Sequence, residues 1–354
     1  MTRLNPNIEA FVKLGEFLGE FCKCIDSKTV SLTVDSAWFE KFKDVITTSH
    51  HHNGWFTKAN VLHALRSWSV ALSVENLERW LTHYDLSNNR SKRVALVLAG
   101  NIPMVGFHDL LTVLVTGNTA VVKLSSNDTL LLPLLVEYLT EIHPGFKDKV
   151  VFTKDRLTHF DAVIATGSNN TARYFEYYFG KKPNIIRKNR NAVAVLTGNE
   201  TKEQLTALAD DIFRYYGLGC RSVSKLFVPK GYDFDSFFKA QIGYDQIIKQ
   251  HKYANNYDYN KAVYLMSEFK FLDNGFLMVK EDAGYASPIA TVFYEEYEMQ
   301  DDVKTKISAD KEHIQCVVSK GLFTDEVPFG KTQSPELWDY ADGIDTVEFL
   351  LKTS

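Results

Sequence analysis

Along the first ninety residues, apolar positions recur every three or four. Ile8, Phe11, Val12, Leu14, Phe17, Leu18 and Phe21 form one series, and Val61, Leu62, Leu65, Trp68, Ala71 and Leu72 another. That period turns one helical face toward a core. Thr57 is the expected cap of the second helix, and Val74, Leu77, Trp80 and Leu81 mark a third, shorter one. The pattern changes after the polar stretch Asn88-Asn89-Arg90-Ser91-Lys92-Arg93. Short β-rich runs then alternate with helical ones. The expected strands are Val94–Ala99, Thr119–Leu124, Val150–Thr153, Ala162–Ala165 and Ala192–Leu196. Helices are expected over Phe107–Val115, Thr129–Ile142 and Thr171–Phe179. The runs at 94–99 and 192–196 are apolar at every position, as a strand covered on both faces must be.

The second half repeats the alternation. Helix Glu203–Tyr216 leads to strand Lys225–Val228 and helix Phe234–Gln250. Strands Ala262–Met266, Phe276–Val279, Ile289–Phe293 and Ile314–Val318 follow. The Asn- and Tyr-rich stretch Tyr253–Tyr259 reads as a loop, as does Pro328–Asp342, and Thr346–Leu351 reads as a closing strand. The fold class that results is α/β, built from βαβ units with largely parallel sheets behind a helical leader.

The 354 residues suggest two domains at about 150 residues each. A hydrophobic share of 45% and a charged share of 24% exclude a disordered chain or a coiled coil. The net charge of -4 argues against a generally basic nucleic-acid binder. No run reaches the ~18 apolar residues of a membrane span. Glu9, Glu16 and Glu20 interrupt what would have to be a signal sequence. Four cysteines are too few for a disulfide framework, so a reducing cytoplasm is the expected location.

Of those cysteines, Cys220 stands apart. It lies in Gly217-Leu218-Gly219-Cys220-Arg221-Ser222, between a helix and a strand. Glycines beside a thiol permit close approach of a substrate, and Arg221 favours the reactive thiolate; a buried structural cysteine fits the same local context. Cys316, in the apolar strand Ile314–Val318, reads as buried structure. Cys22 and Cys24 lack zinc-site spacing. Asn101 follows a core strand, where α/β sheets bind ligands; its amide suits a developing oxyanion, although on this residue alone a turn residue before Pro103 is the better reading. Thr166-Gly167-Ser168 opens a helix, as a phosphate site or an ordinary cap. Lys123 and Ser125 end another core strand, near a cofactor's ribose or phosphate or simply in solvent. The adjacent His50, His51 and His52 read as a solvated loop rather than a metal site. The run Lys181, Lys182, Arg187, Lys188 and Arg190 reads as a charged surface. Trp38, Trp55, Trp68 and Trp80 suit core packing or the cover of an acyl channel.

Taken together, and in this order, these motifs resemble the aldehyde dehydrogenase superfamily. Asn101, Gly117-Asn118-Thr119 and Lys123 match that family's asparagine turn, Gly-Asn-Thr turn and strand-ending lysine. Thr166-Gly167-Ser168 matches its Thr-Gly-Ser loop, and Cys220 with Lys225-Leu226-Phe227-Val228 matches its nucleophile segment. Where aldehyde oxidisers carry a glutamate base, this chain has Arg187-Lys188-Asn189-Arg190-Asn191, with no acid. Loss of that base slows hydrolysis of a thioester and points to exchange with coenzyme A. The subfamily resembled is the LuxC-like acyl-CoA reductase. Its shorter relatives also resemble Asn53-Gly54-Trp55-Phe56-Thr57, Pro328-Phe329-Gly330-Lys331-Thr332-Gln333 and Asp339-Tyr340-Ala341-Asp342-Gly343; Arg221, in place of a small residue, is a departure.

The resemblance implies an aldehyde-dehydrogenase-like fold of two α/β domains. The expected divisions are a helical segment at 1–90, a nicotinamide-cofactor-binding domain at 91–198, a catalytic domain with the cysteine at 199–327, and a C-terminal return at 328–354. It implies NADPH-dependent reduction of an acyl-CoA, a fatty acyl-CoA by the subfamily, with coenzyme A leaving. Cys220 would be the nucleophile and Asn101 an oxyanion donor. Lys123, Ser125, Gly167, Ser168 and Glu281 would serve the cofactor, with no metal, nucleic acid or membrane span, and with a homo-oligomer left open. Acyl phosphate reduction, acyl transfer without redox chemistry and a non-catalytic binding role are the alternatives.

Overall fold

The computed structural model describes residues 5–27, 35–87 and 89–353, so Asn88 of the polar break lies outside the described residues. The chain forms two compact units, residues 1–188 with 336–354, and residues 189–335. The first opens with helices α1 (Pro6–Ser27), α2 (Ser36–His52), α3 (Lys58–Ala71) and α4 (Val74–Leu81). It continues β1 (Arg93–Val97), α5 (Phe107–Val115), β2 (Thr119–Lys123), α6 (Leu131–Ile142), β3 (Val150–Phe152), β4 (Ala162–Thr166), α7 (Asn169–Phe179) and β5 (Asn184–Arg187). The second unit runs β6 (Asn191–Val195), α8 (Lys202–Phe213), β7 (Val223–Pro229), α9 (Phe234–Gln241), α10 (His251–Met266), β8 (Phe271–Asp273), β9 (Met278–Glu281), β10 (Thr291–Tyr297), α11 (Gln300–Ala309) and β11 (Ile314–Val318). Helix α12 (Thr346–Lys352) closes the first unit.

Among the described residues the first unit holds a parallel sheet in the order β3-β2-β1-β4-β5. Its central strands are buried on both faces: Val94, Ala95, Leu96, Val163 and Ile164 have no exposure. The second unit's sheet runs β11-β6-β7-β10-β9-β8, parallel except for the edge pair β8–β9. The expected division at 198/199 falls after β6, which hydrogen-bonds to β7 and β11 and belongs to the second unit.

The helical leader packs on α5 and α6. Phe11 meets Phe107 and Phe146 with ring centroids at 6.2 and 5.7 Å. Phe17 stacks on Tyr138 at 4.4 Å, and Trp38 meets the same ring edge-on at 5.1 Å. Such pairs add about 0.5–1.5 kcal/mol each beyond burial. Trp38 and Trp80 are therefore core residues, and their ring nitrogens donate to Glu141 (2.9 Å) and to the Tyr340 hydroxyl (2.7 Å). No helix among the described residues is long and apolar enough to cross a membrane.

Several elements differ from their expected form. Residues 251–266, read as a loop and then a strand, are the single helix α10. The Gln250 side chain caps it, accepting from the Tyr253 N–H at 2.8 Å, and Tyr253, Tyr257, Asn260 and Tyr264 face inward at helical spacing. Thr346–Leu351 is helical because Asp345 caps Glu348 at 2.8 Å and Val347 and Leu350 share the buried face. Residues 50–52 finish α2 as exposed positions rather than forming a loop. The helix expected to reach Tyr216 ends at Phe213, and that expected to reach Gln250 changes winding after Gln241. Helices α2 and α11 and strands β5 and β8 have no counterpart in the expected elements.

Candidate active site

Cys220 is exposed. It occupies a tight turn in which the Ser222 N–H donates to the Gly219 carbonyl at 2.9 Å. The turn feeds directly into β7. Ahead of it, Tyr215, Tyr216 and Gly217 take φ of 55°, 60° and 75°, three successive left-handed residues. For the two tyrosines this costs of order 1–3 kcal/mol each. Burial of Tyr215 and packing of the Tyr216 ring 6.2 Å from Tyr253 hold the segment there. Helix α8 has already ended where Arg214 leaves helical backbone at ψ of 136°, and the segment brings the thiol to the surface at the amino ends of the strands.

Buried polar groups brace the turn. The Ser222 hydroxyl accepts from the Gly219 N–H (3.2 Å) and from Gln333 Nε2 (3.3 Å). Arg221 Nε donates to the Thr332 carbonyl at 2.7 Å. Thr332 is itself clamped by Asp211 of α8: Oδ1 accepts from its N–H (2.9 Å) and hydroxyl (2.8 Å), and Oδ2 from the Gly330 N–H (2.6 Å). The role of Arg221 after the cysteine is thus to tie the turn to 328–333. Gly330 is required there, with φ of 77° and an added Cβ only 3.0 Å from Ala207 Cβ.

In the first unit, the other candidate residues gather at the carboxyl ends of β1, β2 and β4, which are neighbours in the sheet. Asn101 follows β1, Lys123 ends β2 with Ser125 just beyond, and Gly167 and Ser168 link β4 to α7. The β1/β4 boundary is where strand order reverses, the crevice in which open α/β sheets bind ligands. Ser168 caps α7, its hydroxyl accepting from the Thr171 N–H at 3.2 Å, and Lys123 Nζ reaches the Asp155 carbonyl at 3.3 Å. A Cβ on Gly100 would lie 2.7 Å from Ser125 Cβ, so the loops after β1 and β2 nearly touch. Asn53 spans them, its amide donating to the Gly100 carbonyl (3.4 Å) and the Asn127 carbonyl (3.3 Å). Asp128 adds a second brace by accepting from the N–H of Met104, whose φ is 58°.

Glu281 is the exposed last residue of β9 and pairs in register with Tyr294, while Leu226 pairs with that same Tyr294 from β7. The register therefore sets Glu281 beyond the first residues of β7 rather than level with the Cys220 turn. Lys225, by contrast, is wholly buried, donating to Glu295 Oε2 (2.8 Å) and to the Asp282 carbonyl (3.0 Å). Burial lowers its pKa and Glu295 opposes that. Burial pushes the Cys22 thiol up to about 11, the opposite of activation. Cys316, expected to be buried, is only half-buried; it lies on β11, the edge strand of its sheet. Arg187, read as surface charge, is buried against Asp109.

No local sequence signal marks Asp211, Thr332, Gln333, Asn53 or Asp128 as site residues. Two of their segments, 53–57 and 328–333, carried a resemblance but no role. Nothing in Ala209-Asp210-Asp211 separates the buried carboxylate from its neighbour.

The fold is that of aldehyde dehydrogenases. The chain is similar to aldehyde dehydrogenase 21 from Physcomitrella patens, solved with the product succinate, at 15% identity and a TM-score of 0.60 over 98% of this chain and 87% of that one. It is similar to the aldehyde dehydrogenase KauB from Pseudomonas aeruginosa at 13% identity and a TM-score of 0.56, covering 89% and 76%. An indole-3-acetaldehyde dehydrogenase solved with NAD+ gives 13% identity and a TM-score of 0.57, again covering 89% and 76%. No curated protein matches the sequence. A family model described as acyl-CoA reductase (LuxC) matches residues 44–290, more than half of the chain. With that match over an aldehyde-dehydrogenase fold, the chain belongs to the acyl-CoA reductase (LuxC) family, enzymes that act on acyl and aldehyde groups.

Proposed function

We propose that this protein reduces an acyl-CoA to an aldehyde through a covalent thioester on Cys220, with NADPH as reductant. The observation that carries the reading is the exposed Cys220 in a turn braced by buried groups ahead of β7. The Cys220 thiolate attacks the thioester carbonyl; the C–S bond to coenzyme A breaks, its sulfur takes a proton, and the acyl group stays on Cys220. The backbone N–H of Cys220 and the Asn101 amide are proposed as donors to the acyl oxygen.

The first unit's residues fit a dinucleotide. Lys123 supplies a cation and Ser125 a hydroxyl. The α7 start adds backbone N–H groups, and a Cβ on Gly167 would crowd Thr171 at 3.0 Å. When bound, the nicotinamide supplies hydride to the acyl carbon. Cys220 then departs as thiolate and the aldehyde is released. The NAD+ in the indole-3-acetaldehyde dehydrogenase supports a nicotinamide cofactor, and Lys123 supports the 2′-phosphorylated form. Glu281 is proposed as a ribose contact, tested by its own substitution. A reducing cytoplasm would keep the thiol reactive.

The test is a panel of acyl-CoAs and acyl phosphates of graded length with NADPH and NADH, followed at the nicotinamide absorbance. Acyl-CoA-dependent NADPH oxidation that Cys220→Ala abolishes is expected. Turnover of acyl phosphates alone, or wild-type turnover in Cys220→Ala, overturns the proposal.

A further inference from the structure

We infer that Asp211 is a positioning residue for the Cys220 turn, acting through Thr332, Arg221 and Gln333. The inference rests on the reading of Cys220 as nucleophile. Asp211 and Thr332 have no exposure, Ser222 is 3% exposed and Gln333 7%, while Cys220 lies open to solvent. A reactive side chain at the surface is thus held by a polar frame from which water is excluded. The frame has two arms. One runs from the Asp211 carboxylate to the Thr332 N–H and hydroxyl, and from the Thr332 carbonyl to Arg221, the residue after the cysteine. The other runs from Gln333 to the Ser222 hydroxyl, and from there to the Gly219 N–H, the residue before it. Both arms reach the turn through the 328–333 segment, and Asp211 grips that segment at Gly330 and Thr332.

The grip is strongest with an ionised carboxylate. Three donors converge on its two oxygens, and each bond is stronger to a charged acceptor, so protonation weakens the set. Burial raises the Asp211 pKa to about 6, against the pull of the Gly330 and Thr332 bonds and with a further push from Asp210. The charge that acts on it is Asp210 on α8; Lys331 adjoins both clamped residues in sequence, and Arg221 is bonded to the Thr332 carbonyl.

The experiment uses the full chain with Asp211→Asn, Thr332→Val and Thr332→Ser. It reads kcat and KM on the best substrate of the panel, the melting temperature, and the rate at which iodoacetamide alkylates the Cys220 peptide. Asn keeps one acceptor oxygen and Val none of the hydroxyl, so both are expected to lower kcat about ten- to a hundredfold with KM little changed. Cys220 alkylation should shift at least about threefold in the same variants. Thr332→Ser should stay near wild type. Wild-type kcat should rise with pH through about 6, and Asp211→Asn should lack that limb. Folded variants with wild-type kcat and alkylation would overturn the inference, as would Thr332→Ser falling as far as Thr332→Val. If Asp211→Asn does not fold, Thr332→Val carries the test. Activity that survives Cys220→Ala would remove the nucleophile reading, while the alkylation rates would still decide whether Asp211 positions the turn.

Discussion

Arg187 at the end of β5 grips Asp109 of α5 through two parallel hydrogen bonds of 2.7 and 2.9 Å, where the two residues are 6% and 3% exposed. The pair fastens the sheet's edge strand to the helix that crosses between β1 and β2. Removing one partner leaves the other charge buried. Arg187→Met is expected to cost about 3–5 kcal/mol, and the double variant with Asp109→Leu to regain most of it. Urea unfolding of the three proteins is the measurement. A single-variant loss below about 1 kcal/mol would show that the pair does not carry the strand.

Glu326 gives a pH dependence of defined sign. Burial raises its pKa, but bonds from the Ser319 hydroxyl and from the N–H groups of Gly321, Leu322 (2.9 Å) and Phe323 (3.2 Å) outweigh that and hold it at about 2. A carboxylate depressed from 4.5 adds stability that is present above 4.5 and lost as pH falls toward 2. Protection of the Leu322 and Phe323 amides, relative to the intrinsic exchange rate at each pH, should fall across that window in the wild type. Glu326→Gln should show weak protection at every pH; wild-type protection that persists in this variant contradicts the assignment.

Thr291 begins β10 with its hydroxyl buried and, among the described residues, without a hydrogen-bond partner. Valine has the same shape and no polar group. Thr291→Val is therefore expected to leave unfolding free energy unchanged or to raise it by up to about 1 kcal/mol. A clear loss in a denaturant titration would mean that the hydroxyl is satisfied.

Gly330→Ala should behave in the opposite way. The left-handed φ of 77° and the 3.0 Å approach to Ala207 both oppose a side chain, so a loss above about 1 kcal/mol is expected. The denaturant midpoint reports it. A change below about 0.5 kcal/mol would mean that the 328–333 segment yields without resistance.

The sheets were legible where chain chemistry is local. Phe107–Val115 has the bounds expected from its apolar period, and β1, β2, β3 and β4 lie within two residues of theirs because apolar runs end at polar or glycine punctuation. Elements fixed from outside their own segment leave no such local trace. In α10 the inward face is built from Tyr253, Tyr257, Asn260 and Tyr264, whose composition suggests a loop although their spacing is helical. In α12 the segment Thr346–Leu351, which opens with β-branched Thr346 and Val347, is held helical by the Asp345 cap. The same division runs through the candidate site. Cys220 announces itself by flanking glycines, whereas Asp211 meets Gly330 and Thr332 across 119 and 121 residues, a separation over which no local pattern reaches.

The order in which the chain supplies its parts has a consequence for synthesis. All strands of the first sheet precede Lys188, and the ribosome delivers them early. The hydroxyl of Tyr340 that receives the Trp80 ring nitrogen, the Asp345 carboxylate that receives Tyr84, and the Leu350 carbonyl that receives Lys92 Nζ all come after the whole second unit. The first unit is thus begun first and finished last. Until the final residues emerge, the α5 surface that α12 covers stands open, and a nascent or truncated chain carries that apolar seam exposed to chaperones, to proteases and to its own neighbours.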